Sequence, residues 1–117
     1  MRNLEDICEN YKRGIIDLVI LSLLEKEDMY PYQINQEVQK RSEELLRFYL
    51  TSLYPPIRRM LQNEEISERK VLAGERRYRN YYHIEEKGRE YLQQLRQEYE
   101  AMSRGIALLN SSLEESQ

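Results

Sequence analysis

Residues 52–59 read Ser-Leu-Tyr-Pro-Pro-Ile-Arg-Arg, and residues 76–84 read Arg-Arg-Tyr-Arg-Asn-Tyr-Tyr-His-Ile. The first string predicts a helix that starts at the prolines, because the first N–H groups of a helix have no intrahelical acceptor and proline is tolerated there. Thr51 or Ser52 can cap this helix. The second string predicts an arginine-rich turn that leads into an aromatic strand. The chain therefore carries a helix and a following hairpin that both present arginines.

The predicted helix has two different faces at about 100° per residue. One face carries apolar side chains, namely those of Leu53, Ile57, Met60 and Leu61. The opposite face carries Ser52, Pro55, Arg58, Arg59 and Gln62. Tyr54 lies at the boundary between the two faces. We expect the first face to pack against a core and the second to meet a partner.

The charge of this region is opposite to that of the whole chain. The 117 residues have a net charge of −3, yet residues 57–80 contain seven basic and four acidic side chains. A local basic excess on an acidic protein is typical of a surface that faces phosphate groups. A solvated basic loop is the simpler alternative, and the charge cluster alone would favour it.

Two helices are predicted before this region. Residues 15–24 are apolar at eight of ten positions, without alternation and without internal Gly or Pro, which favours a buried helix at the centre of the core. Pro31 can begin a second helix that carries Ile34 and Val38 on one face and ends near Ser42. Residues 43–50 can either continue a helix or form a short extended stretch that pairs with a later strand.

Two strands are predicted after the capped helix. Residues 66–71 and 78–84 have strand-like composition and flank a turn at Leu72-Ala73-Gly74-Glu75. Helix, helix, capped helix and hairpin is the order of a winged helix-turn-helix, in which the third helix enters the major groove and the hairpin reaches the flanking DNA. The predicted fold is mainly α, with a small β-hairpin wing and a long C-terminal helix.

The C-terminal segment contains an apolar seam of spacing 3 and 4, formed by Leu92, Leu95, Tyr99, Met102, Ile106, Leu109 and Leu113. A stripe this narrow, flanked by charged residues, is typical of helices that pair with another helix. Packing against its own domain is the alternative, above all for Leu92 and Leu95. We therefore predict a DNA-binding domain at residues 1–84, a dimerisation helix at 85–113 and a frayed tail at 114–117.

Other functional classes find little support in the sequence. It has one histidine, no Cys/His cluster with metal-ligand spacing, no glycine-rich phosphate loop and no Ser or Cys placed beside a base, so we predict neither an enzyme nor a cofactor. The apolar run of residues 15–24 is too short to span a membrane, and no cleavage site follows it. A cytoplasmic protein is expected, in which Cys8 makes a small apolar contact.

The chain resembles the PadR family of bacterial transcriptional regulators from about residue 14 to about residue 109. The resemblance rests on the order and spacing of residues 16–24, Met29-Tyr30-Pro31-Tyr32-Gln33-Ile34, Leu53-Tyr54-Pro55 with Arg58-Arg59, and residues 81–89. It implies a homodimer whose C-terminal helices pair across a two-fold axis. It also implies two winged helices on a pseudo-palindromic operator and repression that a small ligand relieves.

The sequence departs from the family pattern at three positions. Pro31 stands where the family tends to have glycine, and it stiffens the start of the second helix. Pro56 follows the usual Leu-Tyr-Pro and can distort the first turn of the third helix. Asn80 stands where a second basic residue often precedes the tyrosine pair, and Arg76 with Arg77 can compensate from another point on the wing.

Two sets of site residues follow from these patterns. The residues expected to contact DNA are Thr51, Ser52, Tyr54, Pro55, Arg58, Arg59, Arg76, Arg77 and Arg79. Arginine can form a two-pronged contact with guanine or bind a phosphate. The resemblance implies an effector pocket at the dimer centre for a small aromatic ligand, with Asp17, Leu18, Ser22, Leu95, Tyr99 and Ser103 as its lining; ordinary dimer packing is the alternative. A protein-interaction or dimerisation module without specific DNA binding is the alternative function.

Overall fold

Four α-helices and one β-hairpin make up the computed structural model, which describes residues 3–116 and, within them, all side chains except those of residues 4–10 and 13. Cys8 and its predicted contact lie outside the described side chains. The elements are α1 (Leu4–Leu24), α2 (Pro31–Arg41), a 3-10 turn (Leu50–Leu53), α3 (Tyr54–Gln62), β1 (Ile66–Leu72), β2 (Tyr78–Ile84) and α4 (Glu86–Glu115). This architecture confirms the predicted fold class.

Helix α1 forms the centre of the core, as its apolar run predicts. Ile20, Leu21 and Leu24 are buried, and α2 adds Ile34 and Val38 from one face. Pro31 occupies the first turn of α2, where its missing N–H breaks no intrahelical hydrogen bond. None of the helices within residues 3–116 has the length and apolar content that a bilayer crossing requires.

Residues 43–50 form neither of the two structures considered for them. Helix α2 ends at Arg41, and the backbone then turns through positive φ angles of 53° at Glu43 and 66° at Glu44. The Ser42 hydroxyl accepts a hydrogen bond from the backbone N–H of Leu46 and closes this turn (3.0 Å). Phe48 is buried and anchors the remaining irregular chain, so a strand pairing is not needed to hold it.

The hairpin is antiparallel and pairs Ile66 with Ile84 at its base and Leu72 with Tyr78 near its tip. A further bridge connects it to the turn between α1 and α2. There the backbone N–H of Tyr82 donates to the carbonyl of Met29 (2.9 Å), and the N–H of Met29 donates to the carbonyl of Tyr82 (3.3 Å). The base of the wing is therefore attached to the helical core.

The expected capping of α3 by Thr51 or Ser52 is wrong. Both residues lie in the 3-10 turn that runs directly into α3, Leu53 is the N-cap, and no side-chain cap hydrogen bond forms. A cap hydroxyl normally accepts from the second or third helical N–H. With Leu53 as the N-cap, those positions are Pro55 and Pro56, which have no N–H to donate. Thr51 and Ser52 do not cap α3 because they lie within the 3-10 turn, before the residue that begins the helix.

Helix α4 extends well beyond the rest of the molecule. It spans Glu86–Glu115, about 45 Å at 1.5 Å per residue, and the molecule measures 67 × 33 × 23 Å. The radius of gyration of the molecule, 17.1 Å, exceeds the roughly 13 Å of a compact chain of this length. The helix continues into the segment predicted as a frayed tail, because neither Gly nor Pro interrupts residues 106–116.

Candidate nucleic-acid interface

Helix α3 presents the face that its sequence predicts. Ile57 and Met60 are buried and Leu61 is partly buried, whereas Thr51, Tyr54, Pro55, Arg58, Arg59 and Gln62 are exposed and Ser52 is half-buried. Pro56, the second proline, is buried and adds to the packing face. At about 100° per residue, Arg58 lies in the middle of the exposed face, with Tyr54 and Arg59 towards its two edges.

The two arginines of α3 differ in their surroundings. Arg58 makes no hydrogen bond or ion pair with any other residue within the described range. Arg59 donates to the Asp17 carboxylate on α1 at 3.1 Å. Arg59 also borders a cavity of about 440 Å³ between α1 and α3. Arg58 is therefore available to a partner without breaking a contact, and Arg59 is not.

The arginine-rich hairpin presents its basic residues in two ways. Arg76 and Arg77 are exposed in the tip between β1 and β2, where Gly74 adopts a positive φ of 104°. Arg79 instead stacks on the ring of Tyr30, with its guanidinium carbon 4.4 Å from the ring centroid. The Tyr30 stack fixes the position of Arg79, whereas the tip arginines have no such support among the contacts described.

Aromatic side chains connect the hairpin to the turn before α2. The rings of Tyr30 and Tyr81 lie 5.3 Å apart, and Arg69 of β1 lies 5.2 Å from the centroid of Tyr81. Tyr82 is buried and Tyr81 is half-buried, as expected of adjacent residues that alternate across a strand. A cleft of about 240 Å³ between the hairpin and α3 is lined by tyrosines, namely Tyr30, Tyr32, Tyr54, Tyr78 and Tyr82.

Asp28 joins the turn between α1 and α2 to the base of the hairpin. Its carboxylate lies 2.7 Å from His83 Nδ1 and 3.3 Å from a guanidinium nitrogen of Arg69. Burial raises the pKa of Asp28, but the hydrogen bonds and charges of His83 and Arg69 outweigh it and hold the pKa below its usual value of 3.8. The sequence gives no local sign of this cluster, since its members are 41 and 55 residues from Asp28.

We expect Asp28→Asn to lower the free energy of unfolding by about 1 kcal/mol at neutral pH, because the substitution removes a half-exposed, charge-assisted contact. The pKa of Asp28 is lower in the folded chain than in the unfolded chain, so its ionised carboxylate stabilises the fold at pH values above the pKa of the unfolded chain. This stabilisation is lost as the pH falls through the pKa of the folded chain. Urea unfolding from about pH 7 to about pH 2 should therefore show the difference between variant and parent disappear in acid. Glu37→Gln is the control, because it removes the carboxylate of a separate ion pair within α2. If the difference in stability between Asp28→Asn and the parent chain were the same at every pH, the lowered pKa of Asp28 would not be its cause.

Asp17 is in contact with groups from two other helices of its own chain. It accepts hydrogen bonds from the Tyr91 hydroxyl (2.6 Å) and from Arg59 (3.1 Å), and its side chain is only 16% exposed. Burial and the Asp17 carboxylate raise the pKa of Tyr91. Burial and the charge of Asp17 also raise the pKa of Glu65, and Arg59 opposes that shift. Sequence reasoning placed Asp17 in a ligand pocket and missed these three neighbours.

The other residues predicted to line an effector pocket lie along α1 and α4. The Ser22 hydroxyl donates to the Leu18 carbonyl one turn earlier (2.7 Å), which satisfies its donor. Leu18 and Leu95 are partly buried against the core, whereas Tyr99 and Ser103 are exposed on the projecting part of α4. Within one chain the six predicted residues therefore extend along α1 and α4, from the core to the projecting part of α4.

The apolar seam of α4 divides into two parts. Leu92 is fully buried within its own chain, and Leu95 packs partly against the same core, so Leu92 is not available to a second chain. Leu92 thus follows the alternative of packing against its own domain, because the first turns of α4 pack on α1. The remaining seam residues are 51% to 60% exposed, namely Tyr99, Met102, Ile106, Leu109 and Leu113.

The family model of the transcriptional regulator PadR-like family matches residues 20–94 of this chain. The matched range includes α2, α3, the hairpin and the start of α4. An uncharacterised protein of Lysinibacillus sphaericus is 30% identical over 102 residues, which cover 87% of this chain and 94% of that protein.

Solved structures of similar chains share the fold. A transcriptional regulator from Clostridium thermocellum is 32% identical with a TM-score of 0.77, over 84% of this chain and 95% of that one. A PadR family transcription regulator from Clostridium difficile is 27% identical with a TM-score of 0.69, over 81% and 97%. Bacillus subtilis PadR, in complex with operator DNA, is 19% identical with a TM-score of 0.64, over 68% and 46%.

Proposed function

Because the chain belongs to the PadR-like family of transcriptional regulators, we propose that it binds a pseudo-palindromic DNA operator as a homodimer and represses the genes beside it. The observation that carries this proposal is Arg58, which has no partner among the described residues and lies at the centre of the exposed face of α3, next to an arginine-rich hairpin. The complex of Bacillus subtilis PadR with operator DNA supports it through the shared fold. Such a regulator acts in the cytoplasm, where bacterial DNA lies.

In the proposed complex, α3 enters the major groove and the hairpin follows the flanking backbone. Arg58 can make a two-pronged contact with guanine O6 and N7, while the wing arginines Arg76, Arg77 and Arg79 suit phosphates. Arg59 can donate to a phosphate through the guanidinium N–H groups that its contact with Asp17 leaves unused. Thr51, Ser52, Tyr54 and Pro55 lie at the end of α3 that approaches the groove. Pro55 and Pro56 provide no backbone N–H, so side chains must supply the polar contacts at this end of the helix.

The exposed seam of α4 supports the proposed homodimer. Tyr99, Met102, Ile106, Leu109 and Leu113 form an apolar stripe on a helix that projects from its own domain. Exposed apolar stripes of this spacing are covered when two helices pair. A second copy of the chain would cover the stripe and place two recognition helices on one DNA duplex.

We place the proposed effector between α1 and α4 of the two chains. Tyr99 would offer a flat aromatic surface to a small aromatic ligand, and Ser103 and Leu95 would lie near it on the same helix. The Asp17 carboxylate already holds Tyr91 and Arg59, so a ligand that reaches Asp17 must compete with both groups.

Selection from a random DNA pool tests the proposed function directly. The purified chain should enrich one pseudo-palindromic sequence and keep its preference for that sequence as salt concentration rises. Enrichment of no sequence, with binding that fades uniformly as salt rises, would favour the alternative of a protein-interaction module. A gel shift with DNA from upstream of the chain's own gene then tests its role as a local repressor.

We expect Arg58→Ala to weaken operator binding by about 1 to 3 kcal/mol per half-site and to relax the preference at one base pair in each half-site. The reason is that Arg58 is the arginine at the centre of the exposed face of α3. Binding isotherms on the selected operator and on its single-base variants measure both effects. Arg41→Ala removes the same charge at the end of α2 and should change neither; unchanged preference in Arg58→Ala would exclude Arg58 from base readout.

A further inference from the structure

Asp17 connects three helices through one carboxylate. The residue lies on α1, accepts the Tyr91 hydroxyl of α4 at 2.6 Å and accepts the Arg59 guanidinium of α3 at 3.1 Å. α3 carries the exposed arginines, and α4 carries the apolar seam. The proposed DNA-reading helix and the proposed dimerisation helix are thus held by two oxygens of the same side chain.

Asp17 is the least exposed carboxylate among the ion pairs described within residues 3–116, at 16% of its side-chain surface. Other pairs also attach α4 to the core, but Lys87 with Glu64 and Arg96 with Glu25 are more exposed, and each joins only two elements. Exposed pairs contribute little, whereas loss of one partner leaves a partly buried charge uncompensated. The negative charge of Glu65 lies close to Asp17 and adds to the cost of leaving the Asp17 charge uncompensated.

The position of Tyr91 makes the contact geometrically important. The middle of the exposed seam, between Met102 and Ile106, lies about 13 residues beyond Tyr91, or roughly 20 Å along the helix. A tilt of α4 by about 10° at Tyr91 would displace the seam by roughly 3.5 Å, close to the 3.4 Å rise of one base pair. In a two-fold dimer the α4 helix of each chain would tilt by the same angle, so the two displacements together change the separation of the recognition helices.

We propose that Asp17 is a positioning residue that fixes the angle between α3 and α4 and thereby sets the spacing between operator half-sites that the dimer accepts. The inference rests on the proposed function, since it needs two half-sites and a dimer. Asp17 contacts no DNA in this arrangement. It acts through Arg59 on one side and Tyr91 on the other.

The experiment measures affinity for duplexes in which the half-sites selected by the unmodified chain are separated by the optimal spacer or by spacers one or two base pairs shorter or longer. Tyr91→Phe and Asp17→Ala should reduce discrimination between the best spacer and its neighbours by about fivefold, or shift the optimum. Affinity for a duplex with a single half-site should stay the same in Tyr91→Phe. Asp17→Asn keeps an oxygen for Tyr91 but loses the charge that holds Arg59, so an intermediate profile is expected.

Loss of folded protein cannot imitate this result, because it scales the affinities for all spacers equally. Arg41→Gln, which removes an ion pair within α2, should keep the original profile. If Tyr91→Phe and Asp17→Asn both discriminate spacers as the unmodified chain does, the positioning role of Asp17 is overturned and the proposed function stands. If the unmodified chain selects no DNA sequence, the proposed function fails and the role of Asp17 fails with it.

Discussion

Met102→Glu combined with Ile106→Glu is expected to give a monomer in solution, whereas the unmodified chain is expected to be a dimer. Met102 and Ile106 are each 60% exposed in the single chain and lie in the middle of the apolar seam. Pairing of two seams would bring four introduced carboxylates together in an apolar interface, where unpaired charges are strongly unfavourable. We therefore expect these two substitutions to have the largest effect on assembly.

Sedimentation velocity over a range of concentrations measures the assembly state, and titration of the selected operator measures its consequence. DNA affinity should fall by at least about 100-fold, because the second half-site is then no longer bound by a tethered partner. Affinity for a single half-site should change little, since α3 and the hairpin are distant from Met102 along the chain.

The matched control adds the same charge to the other side of α4. Ala101 and Leu108 are exposed and lie outside the seam, about 120° to 140° around the helix from its centre, so Ala101→Glu with Leu108→Glu should leave the dimer intact. A dimeric Met102→Glu and Ile106→Glu variant would show that another surface holds the two chains. A monomeric unmodified chain would remove the basis for symmetric operator recognition.

Gly88→Ala is expected to destabilise the fold by about 3 kcal/mol, because it overpacks a site that cannot move. A Cβ at Gly88 would overlap the carbonyl oxygen of Glu65 and approach Ile84 Cγ1. Glu65 is fixed by two backbone hydrogen bonds: its N–H donates to the Met60 carbonyl, and its carbonyl accepts from the N–H of Glu85. The first turn of α4 would therefore have to move away from the end of α3.

The urea midpoint of unfolding measures this effect, and Gly14→Ala provides a control of opposite sign. A methyl group added at Gly14 in α1 would contact none of the described atoms outside its own stretch of helix, so alanine there should stabilise the helix by about 1 kcal/mol. Equal midpoints for Gly88→Ala and the unmodified chain would mean that α4 starts without close contact to Glu65.

Local patterns in the sequence predicted the elements well. The unbroken apolar run of residues 15–24 identified the core helix, and the 3.6-residue periodicity of α3 separated its buried and exposed faces. The seam spacing of α4 predicted the projecting stripe from Tyr99 to Leu113. These features depend only on side-chain type and on distances of a few residues along the chain, which is why periodicity reveals them.

Capping and contacts between residues far apart in the sequence leave no periodic pattern, and these features were missed or predicted wrongly. Capping of α3 by Thr51 or Ser52 failed because a 3-10 turn precedes the helix and moves its N-cap to Leu53. The contacts of Asp17 with Tyr91 and of Asp28 with His83 join residues 74 and 55 positions apart, so only the folded chain reveals them. Leu92 belongs to the seam by spacing, but the fold buries it against its own core.

The two backbone hydrogen bonds between Met29 and Tyr82 divide the wing into regions of unequal stability. At the base, Tyr82 and Ile84 are buried and Tyr82 is hydrogen-bonded to Met29, so we expect the Tyr82 amide hydrogen to exchange with solvent only when the core opens. Towards the tip, Leu72 and Tyr78 are exposed and can open locally at little cost in free energy. The wing thus combines a base that unfolds together with the helices and a tip that can adapt its shape to the surface it meets.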